Sequence, residues 1–480
     1  MTAPNRRRRW LLAAAVLLAL AGAAAYRFAP SLLARAIAAR QASNDSLVRE
    51  EYAFHVGTLA YVYGYPIVDM TQQLHNETLR VAPDQQVYAP LNRIFSFGAL
   101  VTPSTQGNLR LPNHDTLYFS GWYDVSKEPV ILHVPDTAGR YYTVAVTNLY
   151  SEVEHLGRRT TGTAERVFAL VPRGYAGALP EGVTPVTTES PCGWLLGRML
   201  VTGPDDAPAG LALVDQFWTV PLSEYVPGRK PTLGPEASAA PMDVLGELAY
   251  FEVLNAALRK LPARPSEAAL MAQLDAIGVG PSAHLERERL DVPTRRGLER
   301  ALLAGRALVD AASQRTRATE HGWIIPRLVG RYGHDYLARA AVVKGGYGNL
   351  PEESLYAAAL TDRDGQILSG RSRYRIRFAK GALPPVNAFW SIAVYDIRSG
   401  KLVENEIQRY SLGDRTPGLV YADDGSLTIA LQHERPGERT ANWLPTPSGA
   451  LPLIAVIRMY EPRAEALSGE YALPEVERLD

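Results

Sequence analysis

The sequence has 480 residues, of which 46% are hydrophobic and 21% charged, and its 50 basic residues balance its 50 acidic ones. Such a length predicts about two to four domains rather than a single core, and the even charge argues against a nucleic-acid partner. The single cysteine, Cys192, excludes an intramolecular disulfide, and its apolar neighbours at 193–196 predict a buried structural thiol rather than a nucleophile.

The N-terminal residues have the pattern of an exported protein. A basic block at 6–9 precedes an uncharged run at 10–26, which is just long enough to span a bilayer. The charge asymmetry predicts a single-pass anchor in the inner membrane, with the large domain in the periplasm. A signal peptide that is cleaved near 23–25, with secretion to the periplasm, is the alternative. The amphipathic pattern that continues at 32–37 favours the anchor.

Residues 44–80 have a helical pattern. Pro66 is expected to interrupt it, because proline lacks the backbone donor and disfavours helix at the preceding residue. Tyr63 and Tyr65 beside this break are candidates for lining a binding pocket through their hydroxyls. Packing in an amphipathic core is the alternative interpretation.

Residues 81–206 are predicted to form a first β-rich domain. Short segments rich in aromatic and β-branched residues are separated by proline and glycine turns. This spacing is typical of an antiparallel sandwich or barrel. The predicted strands are 116–125, 130–134, 140–148, 153–160, 166–171 and 193–201.

A mainly helical region at 207–345 and a second β-rich domain at 346–480 follow. The predicted helices are 210–220, 242–261, 266–277, 293–315 and 334–343, and the predicted strands are 374–378, 389–396, 427–431 and 453–460. The expected fold is therefore α+β and multidomain. It has two antiparallel β-sandwich or barrel-like domains, helical segments before and between them, and an N-terminal transmembrane helix after a basic stub within 1–43.

One short segment recurs along the chain. Residues 142–148, YTVAVTN, match residues 390–396, WSIAVYD, in residue type at all positions but the sixth. We interpret this as two related β-domains, each with the segment as a central strand. The hypothesis requires both strands to hold the same position in their sheets.

Familiar catalytic signatures and local metal-ligand spacings are absent, so we expect no cofactor and no metal. Three polar and aromatic clusters remain as candidates. The first is Asn113, His114, Asp115, Thr116 and Tyr118, the second is Glu404, Asn405, Arg409 and Tyr410, and the third is 442–445 with Arg458 and Tyr460. Asp115, His114 and Glu404 are the predicted acid or base groups. The predicted substrate-binding residues are Asn113, Thr116, Tyr118, Tyr63, Tyr65, Arg409, Tyr410, Asn442 and Trp443.

A structural role is the alternative for each cluster. Asn113 and Asp115 would then form an Asx turn that leads into a strand. Arg458, which accompanies Asn442 and Trp443 in the third cluster, is interpreted as a structural arginine. Arg409 could hold an anionic group bidentately or tie loop carbonyls together.

Several stretches of the chain resemble a known domain pair. PNHDTLYFSGWYDVSKEPVILHVP and RYYTVAVTNLYSEVEHLGRRTTG resemble domain of unknown function 1254. LPPVNAFWSIAVYD, ENEIQRYSLGD, DGSLTIALQHERP, NWLPTPSG and IRMYEP resemble its usual partner, domain of unknown function 1214. The resemblance covers about 55–475. It implies β-rich modules with helical segments and supplies neither a mechanism nor catalytic residues.

Two functions follow as expectations. The first is a membrane-anchored envelope enzyme without a cofactor, of hydrolase or lyase type, that acts on a small polar or sugar-like substrate. The second is a non-catalytic ligand-binding or assembly protein of the cell envelope. A membrane contact through residues 10–26 and a small-molecule ligand are the expected partners, whereas the oligomeric state is left open.

Overall fold

The computed structural model describes residues 5–78, 89–106, 109–232, 242, 244, 248–283, 285, 289–314, 321–437 and 440–480, and within 5–30 it describes side chains only at 10, 14 and 17. It contains helical segments before and between two β-rich halves. The helices are α1 (Asn5–Thr78), α2 (Arg158–Thr161), α3 (Ala207–Val214), α4 (Ala249–Leu258), α5 (Ala268–Asp275), α6 (Val292–Ser313), α7 (Tyr336–Gly345) and α8 (Ala464–Ser468).

The first helix is continuous over 74 residues, so the expected interruption at Pro66 is wrong. Close packing holds α1 against its neighbours: Ile67, Val68 and Met70 after the proline are buried, and two glycines before it make close contacts with other helices. Gly57 lies against Ala301 of α6 and Gly64 lies against Leu254 of α4. The contacts of α1 with neighbouring helices thus outweigh the loss of the backbone hydrogen bond that Pro66 cannot donate.

No helix in the described ranges is long and apolar enough to cross a bilayer. Most side chains of the expected anchor, residues 10–26, lie outside the described ones. The side chains at 31–45 are exposed, so this part of α1 does not pack on the rest of the protein.

Each half contains a series of short strands. Those of the first half are β1 (Ile94–Ser96), β2 (Thr116–Asp124), β3 (Val130–Val134), β4 (Tyr142–Asn148), β5 (Val153–Gly157), β6 (Arg166–Pro172), β7 (Val183–Thr188), β8 (Cys192–Leu200) and β9 (Trp218–Pro221). Those of the second half are β10 (Trp323–Ile324), β11 (Ser354–Ala359), β12 (Tyr374–Phe378), β13 (Val386–Asp396), β14 (Lys401–Leu402), β15 (Leu412–Gly413), β16 (Leu427–Gln432), β17 (Trp443–Pro445), β18 (Leu453–Pro462) and β19 (Glu477–Arg478).

The two halves have the same topology. The large sheets have the orders β1-β2-β8-β4-β5 and β10-β11-β18-β13-β14, with β15 also paired to β13. The small sheets have the orders β7-β6-β3-β9 and β17-β16-β12-β19. Even the parallel pairs agree, because β6 with β7 and β16 with β17 are both parallel.

The strand position required by the internal repeat is confirmed. The YTVAVTN segment is β4 and the WSIAVYD segment lies in β13, and each is the fourth strand of its large sheet. In each half the large and small sheets enclose one core, lined by alternate residues of the strands. The halves are therefore sandwiches, and none of the described sheets closes into a barrel.

The predicted boundaries hold for the long strands and fail for short elements. The helix expected at 210–220 ends at Val214 and is followed by β9, and β7 was not predicted. Thr-rich, Pro-containing β7 (VTPVTT) is half exposed, so it lacks the apolar alternation that marks a strand.

Candidate functional site

A buried arginine interrupts an apolar strand in the first half. In β8, Leu195 and Met199 face the sandwich core, so Arg198 faces away from it, together with Trp194 and Leu196. Arg198 is only 6% exposed. Its strand lies in the middle of the large sheet, between Tyr118 of β2 and Thr143 of β4.

The second half has an arginine at the equivalent position. In β18, Ile457 and Met459 face the core and Arg458 faces the other side, at 3% exposure. It lies between Tyr356 of β11 and Ser391 of β13. Arg198 and Arg458, together with Tyr118 and Tyr356, are therefore matching residues of the two halves.

Each of these arginines donates a hydrogen bond across the boundary between the halves. Arg198 Nη1 donates to Asn349 Oδ1 at 2.7 Å, and Asn349 precedes β11. Arg458 Nη2 donates to the backbone oxygen of Leu111 at 2.7 Å, and Leu111 precedes β2. The contacts are reciprocal, which places both guanidinium groups at the junction of the halves.

Both arginines line one cavity at this junction. About 80 Å³ of it is accessible to the centre of a water molecule, within a total space of about 740 Å³ that includes the mouth. A water needs only about 10–15 Å³ on this measure, so the cavity has room for a small organic molecule. Leu109, Leu111, Phe97, Trp194 and Leu196 form its apolar wall.

Three tyrosines add hydrogen-bond donors. Tyr118, Tyr356 and Tyr460 line the cavity, and each interacts electrostatically with both guanidinium groups. The Tyr118 hydroxyl accepts from the Asn113 backbone N–H at 3.0 Å and the Tyr460 hydroxyl accepts from Asn113 Nδ2 at 2.6 Å. Since their oxygens already accept, these phenols keep their hydrogens for donation.

Among the described residues, neither arginine has an acidic partner within ion-pair distance, although the charge of Asp115 interacts with Arg458 from further away. Among the described residues, no carboxylate forms an ion pair with Arg198 or Arg458, and Arg198 Nε and Arg458 Nη1 have no hydrogen-bond partner. Arginine stays protonated in proteins. A buried cation that has lost its ion-pair partner destabilises a protein by about 3–5 kcal/mol. The cavity therefore contains two buried cationic groups.

One carboxyl group lines the same cavity. Glu77, near the end of α1, accepts from Trp122 Nε1 at 2.8 Å. Burial raises the pKa of Glu77 to about 7, with a further increase from Asp69, against the effect of the Trp122 hydrogen bond. Glu77 can therefore exchange a proton near neutral pH.

The first predicted cluster lies behind and beside this cavity. Asn113 Oδ1 accepts from the backbone N–H groups of Asp115 and Thr116 and from the Thr116 hydroxyl, at 2.9–3.0 Å. Asn113 thus forms the Asx turn and also orients Tyr118 and Tyr460. Of the predicted residues, Tyr118 alone lines the cavity.

Asp115 reaches into the second half. Its carboxylate accepts from Ser391 at 2.6 Å, from Ser411 at 3.1 Å and from Arg415 Nη2 at 2.9 Å. Burial raises the pKa of Asp115, but the charge of Arg415 and the Ser391 hydrogen bond lower it more, so the pKa lies below its ordinary value. Both oxygens already have protein partners.

His114, Asp115, Arg409 and Tyr410 line a separate, open cleft. His114 Nδ1 lies 2.6 Å from the Val101 oxygen, and its ring meets the Tyr410 ring edge-on at 5.0 Å. Tyr410 donates to Glu404 at 3.2 Å. The cleft joins the first two predicted clusters.

The third cluster is connected to this cleft through Arg409. Arg409 Nη1 donates to backbone oxygens at 440, 441 and 443. Asn442 bonds the backbone of Val420 and Thr428, and Trp443 Nε1 donates to the Gln432 oxygen at 2.8 Å. Arg409 therefore ties loop carbonyls together.

The two predicted tyrosines of α1 lie in different places. Tyr63 is buried and donates to Glu267 at 2.8 Å in the helical region. Tyr65 lines a groove with Tyr61 and Tyr250. Neither lines the cavity that contains Arg198 and Arg458.

The sequence interpretation passed over Arg198, Tyr356 and Glu77. A signal existed, because LLGRML at 195–200 and AVIRMY at 455–460 both place Arg-Met inside an apolar strand. Charged residues are rarely buried without a partner. No group of three His, Cys, Asp or Glu side chains in the described ranges could hold a metal.

These features define a class: two-sandwich proteins with internal pseudo-two-fold symmetry and a buried, arginine-containing cavity at the junction of the halves. Residues 91–221 match the family described as protein of unknown function DUF1254, and residues 353–464 match protein of unknown function DUF1214. The chain belongs to the proteins that pair these two domains in this order.

The comparison with solved structures gave matches that cover most of the chain. The VPA0106 protein from Vibrio parahaemolyticus is 25% identical, with 89% of this chain and 100% of that chain covered and a TM-score of 0.66. An uncharacterised protein from Burkholderia cenocepacia is 13% identical, with 91% and 95% covered and a TM-score of 0.43. No protein with a curated description matches the chain.

Proposed function

We propose that the protein binds a small organic anion in the cavity between its two halves. The observation that carries this proposal is the pair of buried guanidinium groups, Arg198 and Arg458, each with a nitrogen that has no hydrogen-bond partner among the described residues. A bound carboxylate would accept from these nitrogens and neutralise their charge. The apolar wall formed by Phe97, Trp194 and Leu196 favours an organic ligand over a bare inorganic ion.

The binding test uses small carboxylic acids with the full chain. Butyrate and succinate are titrated by calorimetry, and thermal unfolding is followed at several concentrations of each. Binding to the folded state raises Tm by mass action. The Tyr356→Phe variant should bind about threefold to tenfold more weakly, a loss typical of one hydrogen bond, and should unfold at nearly the same temperature.

An arginine variant separates a binding role from a structural one. Arg458→Met removes a buried charge that has no ion-pair partner among the described residues, so the ligand-free variant should lose less than about 1 kcal/mol of unfolding free energy or gain some, while its affinity for the acid falls. Arg159→Met is the matched control, because Arg159 pairs with buried Glu353 at 2.8 Å. This control should lose about 3–5 kcal/mol. Equal losses in both variants, with no ligand effect on the wild type, would refute the proposal.

Catalysis is a second candidate, and Glu77 in the same cavity favours it. A group with a pKa near 7 suits proton transfer at neutral pH. Glu77 would take a proton from a carbon next to the carboxylate of a bound acid and return a proton from solvent to that carbon, without a cofactor. In D₂O, NMR would then detect deuterium in a bound acid, and Glu77→Gln would abolish the exchange without abolishing binding.

The cellular location that we propose is the inner membrane, with the body of the protein in the periplasm. Support comes from the basic block at 6–9 and the uncharged run at 10–26. The exposed part of α1 at 31–45 would then form a stem. Fractionation together with N-terminal sequencing of the native protein tests this, because a cleaved signal peptide would give a soluble periplasmic protein with a new N-terminus.

A further inference from the structure

The two cavity arginines occupy matching strand positions. Arg198 is flanked by Tyr118 and Arg458 by Tyr356, in sheets with the same order of strands. The reciprocal bonds to Asn349 and Leu111 hold each arginine against the other half. The cavity thus has two similar guanidinium groups in its lining, one from each half.

Each of the two guanidinium groups has an unused hydrogen-bond donor. Arg198 Nε and Arg458 Nη1 have no partner in the described part of the chain, and both side chains are more than nine-tenths buried. A single carboxylate that engages one arginine leaves the other uncompensated in a low-dielectric site, where an unpaired charge is costly. A ligand with two negative charges can compensate both.

From this we infer that the ligand is a small dianion, a dicarboxylic acid whose two carboxylates are bound one by Arg198 and one by Arg458. The inference rests on the proposed function, because it specifies the ligand class of the same cavity. The tyrosine hydroxyls would donate to the carboxylate oxygens, and the apolar wall would contact the carbon chain between them. The space accessible to water centres, about 80 Å³, suits a short chain.

The test compares acids that differ in their charge. Succinate, butyrate and inorganic phosphate are titrated into wild type, Arg198→Met, Arg458→Met and the double variant by calorimetry. Succinate should bind wild type at least about tenfold more tightly than butyrate, which corresponds to about 1.4 kcal/mol for the second ion pair. Either single variant should reduce succinate affinity to about that of butyrate, and the double variant should bind neither acid.

The outcomes distinguish this inference from the proposed function. If neither acid binds wild type, the anion site itself fails. If succinate and butyrate bind equally, or if one arginine variant leaves succinate binding unchanged, an anion site remains and the dicarboxylate inference is overturned. Tight binding of phosphate with no preference for succinate would also overturn it, because one inorganic dianion would then satisfy both arginines. Maleate and fumarate hold their two carboxylates at different fixed distances, so their relative affinities report the spacing of the two guanidinium groups.

Discussion

Asp115 and Glu353 occupy the same position in the two halves, one residue before β2 and one before β11, and each pairs with an arginine of the other half. Asp115 lies 2.9 Å from Arg415, and Glu353 lies 2.8 Å from Arg159. The two arginines also match. Arg415 comes two residues after Gly413 and Arg159 comes two residues after Gly157, and each glycine pairs with the fourth strand of its large sheet. Two reciprocal ion pairs therefore join the halves around the cavity.

Loss of one member of these ion pairs should destabilise the protein. Asp115→Ala removes the closer and more buried of the two carboxylates that pair with Arg415, the other being Asp414 at 3.4 Å, and we expect about 3–5 kcal/mol lower unfolding free energy by urea denaturation. Glu353→Ala should have a similar effect, because it strips Arg159 and Tyr141 of their acceptor. Glu154→Ala, an exposed carboxylate of β5, is the control and should change stability by less than about 0.5 kcal/mol.

The Asp115 carboxylate also predicts a pH dependence. Its pKa lies below the ordinary value in the folded protein, so its stabilising contribution is complete above the unfolded pKa of about 3.9 and disappears as pH falls through the folded pKa. Asp115→Asn should flatten the acid end of the stability curve. An acid curve parallel to that of wild type would contradict this role for Asp115.

Glu77 predicts the opposite pH dependence of stability. Its pKa is raised to about 7, so its protonated form is favoured by folding, and stability falls as pH rises from the unfolded pKa of about 4.3 to about 7. Above pH 7 the ionised carboxylate also repels a bound anion. Succinate affinity should therefore decrease several-fold between about pH 6 and pH 8, and Glu77→Gln should remove this decrease in calorimetric titrations.

The matching glycines should tolerate no side chain. A Cβ at Gly413 would lie 2.1 Å from the Trp390 oxygen, and one at Gly157 would lie 2.5 Å from the Tyr142 oxygen. Gly413→Ala and Gly157→Ala should each lower stability by more than about 2 kcal/mol, because backbone must move. Gly345→Ala meets nothing within 4 Å, so as the control it should unfold at the wild-type temperature.

Cys192 should be unreactive in the folded protein. Cys192 is half-buried rather than fully buried as predicted, but burial still raises the pKa of its thiol to about 12, and Asp124 contributes to the increase. The thiolate is the reactive form, so iodoacetamide should modify Cys192 at pH 8 only slowly, and much faster in urea. Rapid modification of the native protein would show that the thiol is accessible and contradict its assignment as a structural residue.

Much of the fold follows from local patterns in the sequence. The alternation at 142–148 and 427–431 predicts strands that the structure contains as β4 and β16, because one face of each strand must be buried. The recurrence of YTVAVTN as WSIAVYD even indicates the internal repeat. By contrast, Pro66 indicates a helix end, and only the packing of α1 on neighbouring helices keeps that helix intact.

The cavity depends on tertiary structure. Arg198 and Arg458 are 260 positions apart, and although each lies inside an apolar strand, that local pattern does not say what its guanidinium group faces. The sequence determined which residues face away from each sandwich core, because side chains alternate along a strand. Only the association of the two halves decided that these two arginines share one cavity without an ion-pair partner among the described residues, because hydrogen-bond and charge partners come from distant segments.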